Sequence, residues 1–539
     1  ARPPAPDTPI IGIRGARAHN LKDVDCDIPL GRLVVITGVS GSGKSTLVQE
    51  VLFNQAAKAK GHPEGAPGDC DAITGLDAID DILLLDQSPI GRTSRSNPAS
   101  FVGALDPLRK LFAAQPLAHE RGYKAGHFSF NSGPGRCPTC AGSGFEHVEM
   151  QFLSDVYLRC PDCNGRRYRS SVLEVRLPGG AEGLSIADVL ALTASEALAA
   201  FADQPDLKRA LRPLCDLGLD YLRLGQPVPT LSGGEAQRLK LAGHLAKSGR
   251  KRRGSKGLLF LLDEPTTGLH FADIATLLGA FRRLLAAGHS LLVIEHNLDL
   301  IRAADWLIDL GPEGGDGGGE VVCVGTPEEV AGCARSHTGR ALAEEVSSVE
   351  CRVSRKSAAH DAIAESSAAY AAGTPSKLDT RNSILISHAR EHNLKDLTLS
   401  IPRERFIVVT GVSGSGKSTL AFDILFAEGQ RRYLESLNAY ARQFVQPAAR
   451  ADVDAIFGIP PTVAIEQRTS RGGRKSTVGT LTEVHHFLRL LYVKLGTQFC
   501  PDCNLPIAPR DRAAILADLL RDHAGRRVTL LAPLVIARK

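Results

Sequence analysis

The octapeptide Gly-Val-Ser-Gly-Ser-Gly-Lys-Ser occurs twice, at residues 38–45 and 411–418, and each copy sits in the same longer string. Ahead of each lie His-Asn-Leu-Lys-Asp (19–23 and 392–396), an Ile-Pro step (Ile28-Pro29 and Ile401-Pro402) and an apolar run (34–37 and 407–410). The offset is 373 residues throughout, without a gap. A pattern G-x-x-x-x-G-K-[ST] between an apolar strand and a helix folds backbone N–H groups around phosphate oxygens. Its glycines supply positive φ and close approach to the ligand, and the helix N-terminus adds partial positive charge. The residues expected to line the two sites are Gly38, Ser40, Gly41, Gly43, Lys44, Ser45 and Thr46, then Gly411, Ser413, Gly414, Gly416, Lys417, Ser418 and Thr419. Lys44 and Lys417 should reach the β- and γ-phosphates of ATP, or the β-phosphate of ADP, and Ser45 and Ser418 should ligand Mg²⁺. A glycine-rich turn that matches by chance is the bland alternative; the repeated strand, loop and helix context argues against it.

Four further stretches say which kind of nucleotide protein to expect. Leu-Ser-Gly-Gly-Glu-Ala-Gln-Arg (231–238) precedes an apolar strand that ends in two acids, Asp263 and Glu264. Pro-Thr-Thr-Gly-Leu-His (265–270) follows, and a second apolar strand (291–294) leads to Glu295 and His296. Gln87 follows the strand at 82–85, and Gln467 is its repeat after 463–465. In order and spacing this set resembles the ABC ATPases, with a signature motif, Walker B, D-loop, H-loop and glutamine loop. By that resemblance Asp263 would hold Mg²⁺ through water, Glu264 would polarise the attacking water, His296 would contact the γ-phosphate and Gln87 would sense it. Taken singly, an Asp-Glu pair reads as a solvated loop and a histidine at a strand end as structural; the ordered set favours the functional reading.

Length allows about three or four domains, and 43% hydrophobic residues allow packed cores. No run approaches the roughly 18–20 apolar residues of a membrane span. A net charge of +5 says little by itself about nucleic acid. The chain opens on Ala1 and holds one methionine, Met150, so its start is expected to be processed or trimmed.

The twelve cysteines are spaced for metal rather than for disulfides. Cys137, Cys140, Cys160 and Cys163 form CxxC–x19–CxxC, two knuckles that together close a tetrahedral, structural Zn²⁺ site. A redox CxxC is the competing reading. The stretch 145–158 alternates in character and should be a hairpin held at its base by the metal. Around it lie Arg121, Lys124, His127, Arg136, Arg166, Arg167 and Arg169, interleaved with Tyr123, Phe128, Phe130 and Tyr168. Such a mixture suits phosphate contact with stacking, or else a solvated basic face over a small core. Cys500 and Cys503 form a lone knuckle, either half of a zinc module or an unoccupied remnant, and Cys26, Cys70, Cys215, Cys323, Cys333 and Cys351 read as small hydrophobes. Reduced thiols and metal knuckles point to the cytoplasm.

Together these motifs give an α/β fold: ABC-type P-loop NTPase halves with an inserted zinc-binding signature domain. Several strings resemble one family, UvrA, the damage-sensing subunit of the bacterial excision-repair nuclease. They are Asp-Gln-Ser-Pro-Ile-Gly-Arg-Thr (86–93), Ser-Asn-Pro (96–98), Phe-Ser-Phe-Asn (128–131), the zinc module, Leu-Gly-Gln-Pro (224–227) and Gly-Pro-Glu-Gly-Gly-Asp-Gly-Gly-Gly (311–319). The resemblance implies nucleotide excision repair: an ATPase, dimeric in the UvrA manner, binding damaged double-stranded DNA and loading UvrB, with no membrane. A UvrA-like protein that shields DNA from drugs without UvrB is the alternative, and a transporter ATPase is disfavoured because the zinc module stands between glutamine loop and signature.

The expected divisions are an ATP-binding domain at 1–102, the zinc-bearing insertion at 103–230, and signature helix to H-loop at 231–335. A flexible Ala/Ser-rich linker at 336–380 precedes the opening of a second ATP-binding half at 381–539. The order is reversed relative to the family: 10–335 resembles its C-terminal half and 381–539 its N-terminal beginning. After Lys417 no second signature, Walker B or H-loop follows, and no UvrB-binding domain is visible. These residues are therefore expected to be part of a longer protein, and alone to bind nucleotide better than they hydrolyse it. By resemblance, Ser232, Gly233 and Gly234 would complete the site around Lys417.

Overall fold

The computed structural model describes residues 3–87, 95–148, 156–178, 183–247, 256–344, 382–436, 450–465, 477–507 and 511–529. They belong to two compact bodies, within residues 1–466 and 467–539.

In the first body, β1 (Ile10–Ala16), β2 (Val24–Pro29), β3 (Leu33–Gly38), β4 (Ala72–Thr74) and β5 (Asp81–Leu85) come first. β2, β1 and β4 make a small antiparallel sheet. The insertion follows, with the short strands β6 (Phe145–Val148), β7 (Val156–Arg159), β8 (Arg176–Leu177) and β9 (Leu184–Ser185) among helices. Two of those helices start on capping boxes, Ser185 with Asp188 and Thr193 with Glu196, which satisfy amides that a helix start leaves without partners. Pro205 opens the longest helix of the insertion, Pro205–Asp216, where its missing N–H costs nothing.

Beyond the insertion come β10 (Leu258–Asp263), β11 (Ser290–Ile294), β12 (Trp306–Gly311) and β13 (Glu320–Gly325). With β3 and β5 they form a six-stranded sheet ordered β13-β12-β3-β11-β10-β5, parallel except for the edge strand β13. Burial on both faces is what lets β3, β10 and β11 be nearly unbroken apolar runs. Val34, Ile36, Leu259, Leu261, Leu292 and Ile294 pack on Leu47, Val51 and Leu52 of the helix after the first loop. The alternate residues Leu33, Val35, Phe260, Leu262, Leu291 and Val293 face Leu277 and Phe281 of the helix Phe271–Ala286, and that core continues into the insertion through Phe112 and Leu211. The period-2 alternation thus assigns one face to each layer.

The second copy repeats part of this plan. β14 (Ser383–Ala389), β15 (Leu397–Pro402) and β16 (Ala455–Phe457) form an antiparallel sheet ordered β15-β14-β16. Even the register shift recurs, between Ile13 and Ala16 in β1 and between Ile386 and Ala389 in β14. The run 407–410, expected as the strand before the second loop, is not paired, and Phe406 and Val408 are 96% and 65% exposed. In the first copy β3 lies between β11 and β12; among the described residues no strand flanks 407–410 in that way. The run 463–465 is likewise outside any strand, with Ile465 exposed.

The second body holds the helix Val484–Leu495, a hairpin of β17 (Gln498–Phe499) and β18 (Pro506–Ile507) around the lone knuckle, and the helix Arg512–Asp522 capped by Asp511. Among the described residues no helix is long and apolar enough to cross a membrane.

Asp305 anchors the start of β3. Buried to 1% exposure, it accepts the Leu33 N–H at 3.0 Å and pairs with Arg282 at 3.1 Å. Asp305→Ala strands that amide and is expected to cost about 2–4 kcal/mol. Thermal and denaturant unfolding check this; a loss under about 0.5 kcal/mol, the range of an inert surface change, would refute the anchor.

Candidate nucleotide site and cysteine cluster

The first phosphate loop leaves the end of β3 in the middle of the sheet. Gly38, Gly41 and Gly43 take φ of 132°, 79° and 102°. At Gly38 a side chain is impossible on a second count, because a Cβ would lie 1.9 Å from the Leu310 carbonyl oxygen of β12. Lys44 is 7% exposed and donates to the carbonyls of Gly38 at 2.9 Å and Val39 at 2.7 Å. Burial lowers its pKa, and the negative charges of Glu264, Asp309 and Asp263 oppose that shift. Asn20, from the repeated pentapeptide, ties the loop to the glycine-rich segment 311–319 by donating to Gly41 O at 2.9 Å and Gly315 O at 3.1 Å.

Around this lysine the sheet gathers the expected side chains. Asp263 ends β10, and burial and the neighbouring Glu264 raise its carboxyl pKa while Gln49 Nε2 donates to it at 2.8 Å. Glu264 follows in the left-handed region at φ 44°, with one carboxylate oxygen 3.4 Å from His296 Nε2. Gln87 donates to the Glu264 carbonyl at 3.2 Å. Glu295 fixes the backbone ahead of His296. It is buried, and it accepts from Thr266 N at 2.8 Å, Thr266 Oγ1 at 2.5 Å, His296 N at 2.7 Å and Asn297 N at 3.0 Å. Gln237 of the signature helix donates to Leu85 O at 2.5 Å and Asp263 O at 3.0 Å, bridging the ends of β5 and β10.

The second loop has the same shape. Gly411, Gly414 and Gly416 take φ of 141°, 74° and 92°, and Lys417 donates to Gly411 O at 2.7 Å and Val412 O at 2.8 Å. Asn393 repeats the Asn20 contact by donating to Gly414 O. The loop lies against the first copy: Ser413 N donates to Asp273 at 2.8 Å, and Arg238 Nη2 to Ser413 Oγ at 3.3 Å. Gln467 lies outside the described residues, as do Cys351 and residues 88–93. Gln49, Asp309 and Glu295 carried no sequence signal of their own. Asn20 and Gln237 stood inside strings that drew attention for other reasons.

The four cysteines of the insertion meet. The sulfurs of Cys137, Cys140, Cys160 and Cys163 lie within 4.8 Å of one another, with Cys140 and Cys163 3.7 Å apart. Four thiolates at about 2.3 Å from one zinc ion stand about 3.8 Å apart, so the donor set fits that metal. Burial works against a Cys140 thiolate, but amide donors at Gly144 and Gly142 and the neighbouring thiols outweigh it and bring the pKa to about 7. β6 and β7 pair from Phe145↔Arg159 to Val148↔Val156, which is the expected hairpin. Of the basic and aromatic set, Phe128, Phe130 and Tyr168 are core residues rather than stacking surfaces. Arg167 is buried with them, 5.1 Å over the Phe130 ring, and donates to Gly225 O at 2.9 Å. Arg121 pairs with Glu174. Lys124, Arg166 and Arg169 remain exposed.

A central parallel sheet with a phosphate loop after β3, acids at the end of β10 two strands over and a signature helix crossing behind them is the ABC-type P-loop NTPase fold. The chain is 54% identical over 331 residues to UvrABC system protein A of Thermus thermophilus, covering 61% of this chain and 34% of that protein. It is 51% identical over 330 residues to the protein of that name from Neisseria meningitidis, again 61% and 34%. The crystal structure of UvrA2 from Deinococcus radiodurans superposes with a TM-score of 0.58 at 46% identity, covering 64% of this chain and 40% of that one. No family model matches. Over about three fifths of its length the chain is UvrA-like, and it spans about a third of the length of these curated relatives.

The purified chain is expected to carry one zinc by elemental analysis, and Cys140→Ser or Cys163→Ser should lose it and open 141–159 to protease. Undiminished zinc in both variants would refute the site.

Proposed function

We propose that this chain is a nucleotide-driven DNA-damage recognition ATPase of the UvrA type, acting in nucleotide excision repair in the cytoplasm. The observation that carries the reading is the meeting of Lys44, Asp263, Glu264, His296 and Gln87 at one end of the sheet, in the chain whose insertion carries the cysteine cluster.

In this reading Gly38, Ser40, Gly41 and Gly43 shape the loop, and Lys44 leaves its two loop carbonyls for the β- and γ-phosphates of ATP. Ser45 and Thr46 present the first hydroxyls of the helix, Ser45 toward Mg²⁺. Asp263 would help hold the same ion, which would supply charge neutralisation at the phosphates. Glu264 takes a proton from the attacking water, and His296, already beside Glu264, steadies the γ-phosphate. Gln87 reports the phosphate to the insertion that follows it. Gly411, Ser413, Gly414, Gly416, Lys417, Ser418 and Thr419 form a second nucleotide loop, with Ser232, Gly233 and Gly234 as its facing signature. The zinc-bearing insertion meets distorted duplex DNA through backbone phosphates and deformability rather than base identity, with Lys124, Arg166 and Arg169 available for contact. A UvrA-type partner subunit is the expected protein partner; UvrB is the partner expected of the family, although its binding domain is not visible in this sequence.

Glu264→Gln is expected to bind ATP with unchanged affinity and to slow its single-turnover conversion to ADP by about 10²–10⁴-fold. Duplex binding should fall steeply with salt, and the preference for a lesion-bearing over an intact duplex should differ between ADP and ATP. Equal affinity for both duplexes under both nucleotides would remove the sensing role.

A further inference from the structure

The two phosphate loops share a shape but not a setting. At Gly41 of the first loop, a Cβ would meet nothing closer than Gly315 N at 3.4 Å. At the equivalent Gly414 it would lie 2.5 Å from Cδ2 and 2.7 Å from Cγ of Tyr221. The ring of Tyr221 is thus packed flush on the second loop at the one residue type that admits it.

Tyr221 is also tied to the signature. Its hydroxyl donates to Glu235 Oε1 at 2.5 Å, while Glu235 Oε2 accepts the Ser232 N–H at 2.8 Å and the Ser232 hydroxyl at 3.0 Å. Burial and the Glu235 carboxylate raise the phenol pKa, so the hydroxyl keeps its proton and stays a donor, with Ser413 beside it. On the far side, Ala194 N donates to Leu222 O at 2.9 Å and Ser195 N to Asp220 O at 3.0 Å, which pins the tyrosine's segment to the helix Ala194–Ala200 of the insertion. Arg238 holds the same segment through Leu217 O at 3.2 Å and Gly218 O at 3.3 Å, and reaches Ser413 with its other nitrogen.

We propose that Tyr221 is a positioning residue that seats the second phosphate loop against the signature: its ring bears on Gly414 while its hydroxyl, through Glu235, sets Ser232. This rests on the reading that the loop around Lys417 takes nucleotide. Because Tyr221 belongs to the zinc-bearing insertion and its segment is bonded to the helix Ala194–Ala200, occupancy of that loop is felt by the insertion through this side chain, beside the Arg238 link. The signature motif does not encode the contact, since Tyr221 stands ten residues before Leu231.

The test uses the full chain with one loop silenced at a time and a methylanthraniloyl-ATP titration as readout. In a Lys44→Ala background, Tyr221→Ala is expected to weaken binding roughly tenfold, and Tyr221→Phe, which keeps the ring, roughly threefold or less. In a Lys417→Ala background neither change should move the affinity of the remaining site. A loss shared equally by both sites would mark a general structural defect, and no loss at the Lys417 site would also overturn the proposal. Lys417→Ala added to Lys44→Ala separates the two layers. If it leaves binding unchanged, the second loop takes no nucleotide and the underlying reading fails; if it abolishes binding while Tyr221→Ala does nothing, only the positioning role fails.

Discussion

Everything in the candidate site hangs on where β3 ends. β3 lies between β11 and β12, so the phosphate loop emerges at the middle of the sheet's edge, and His296 and Asp263 arrive from β11 and β10, the next strands over. Parallel pairing is what makes this work, because it brings the carboxyl ends of all these strands to one side, the side on which ligands sit in open α/β sheets. Burial then sharpens the chemistry. Lys44 and Asp263 are both pushed toward their neutral forms by desolvation, and each is held back by the other's charge. A phosphate tail entering such a place gives Lys44 a stronger partner than two carbonyl oxygens.

The second loop is an internal control on that argument. Its glycine angles, lysine contacts and asparagine tether match those of the first loop, although residues 407–410 before it form no strand pair among the described residues. The loop conformation is therefore local, set by three glycines, a lysine folded back on its own carbonyls and a helix start. What the sheet adds is not the loop but its company. Lys44 has two acids, a histidine and a glutamine at hand; Lys417 is partly exposed, and it is Ser413 of its loop that meets the first copy, through Asp273 and Arg238.

That division explains what could be read from the residues alone. Features encoded within a few positions were legible: the loops, the cysteine knuckles and their hairpin, and the apolar strands closing on Asp263 and His296. Features that depend on distant packing were not. Phe128, Phe130 and Tyr168 alternate with basic residues as a nucleic-acid surface would, yet the insertion needs them for its core, and Arg167 goes in with them because its guanidinium finds an aromatic face and a carbonyl. The apolar run at 407–410 has strand composition, but a strand is a pairing relation, and among the described residues none pairs with it. Gln49 and Glu295 serve the site only because helix and sheet bring them to Asp263 and His296, which no local pattern announces.

The signature helix Gly233–Lys247 is where the two copies become one device. Gln237 and Lys240, three residues apart and so on one face, hold the first copy: Gln237 bridges Leu85 and Asp263, and Lys240 binds Asp86 at 2.5 Å. Glu235 and Arg238, again three apart, occupy the neighbouring face and meet Tyr221 and Ser413. One rigid helix thus has a face fastened beside Asp263 and a face fastened to the second loop. Gln237 is the stiffest link in this arrangement. It is buried, its amide nitrogen is committed to two carbonyls on different strands, and turning it would leave both of those oxygens without their donor. Asp263 and the second loop are thus both hydrogen-bonded to the same helix.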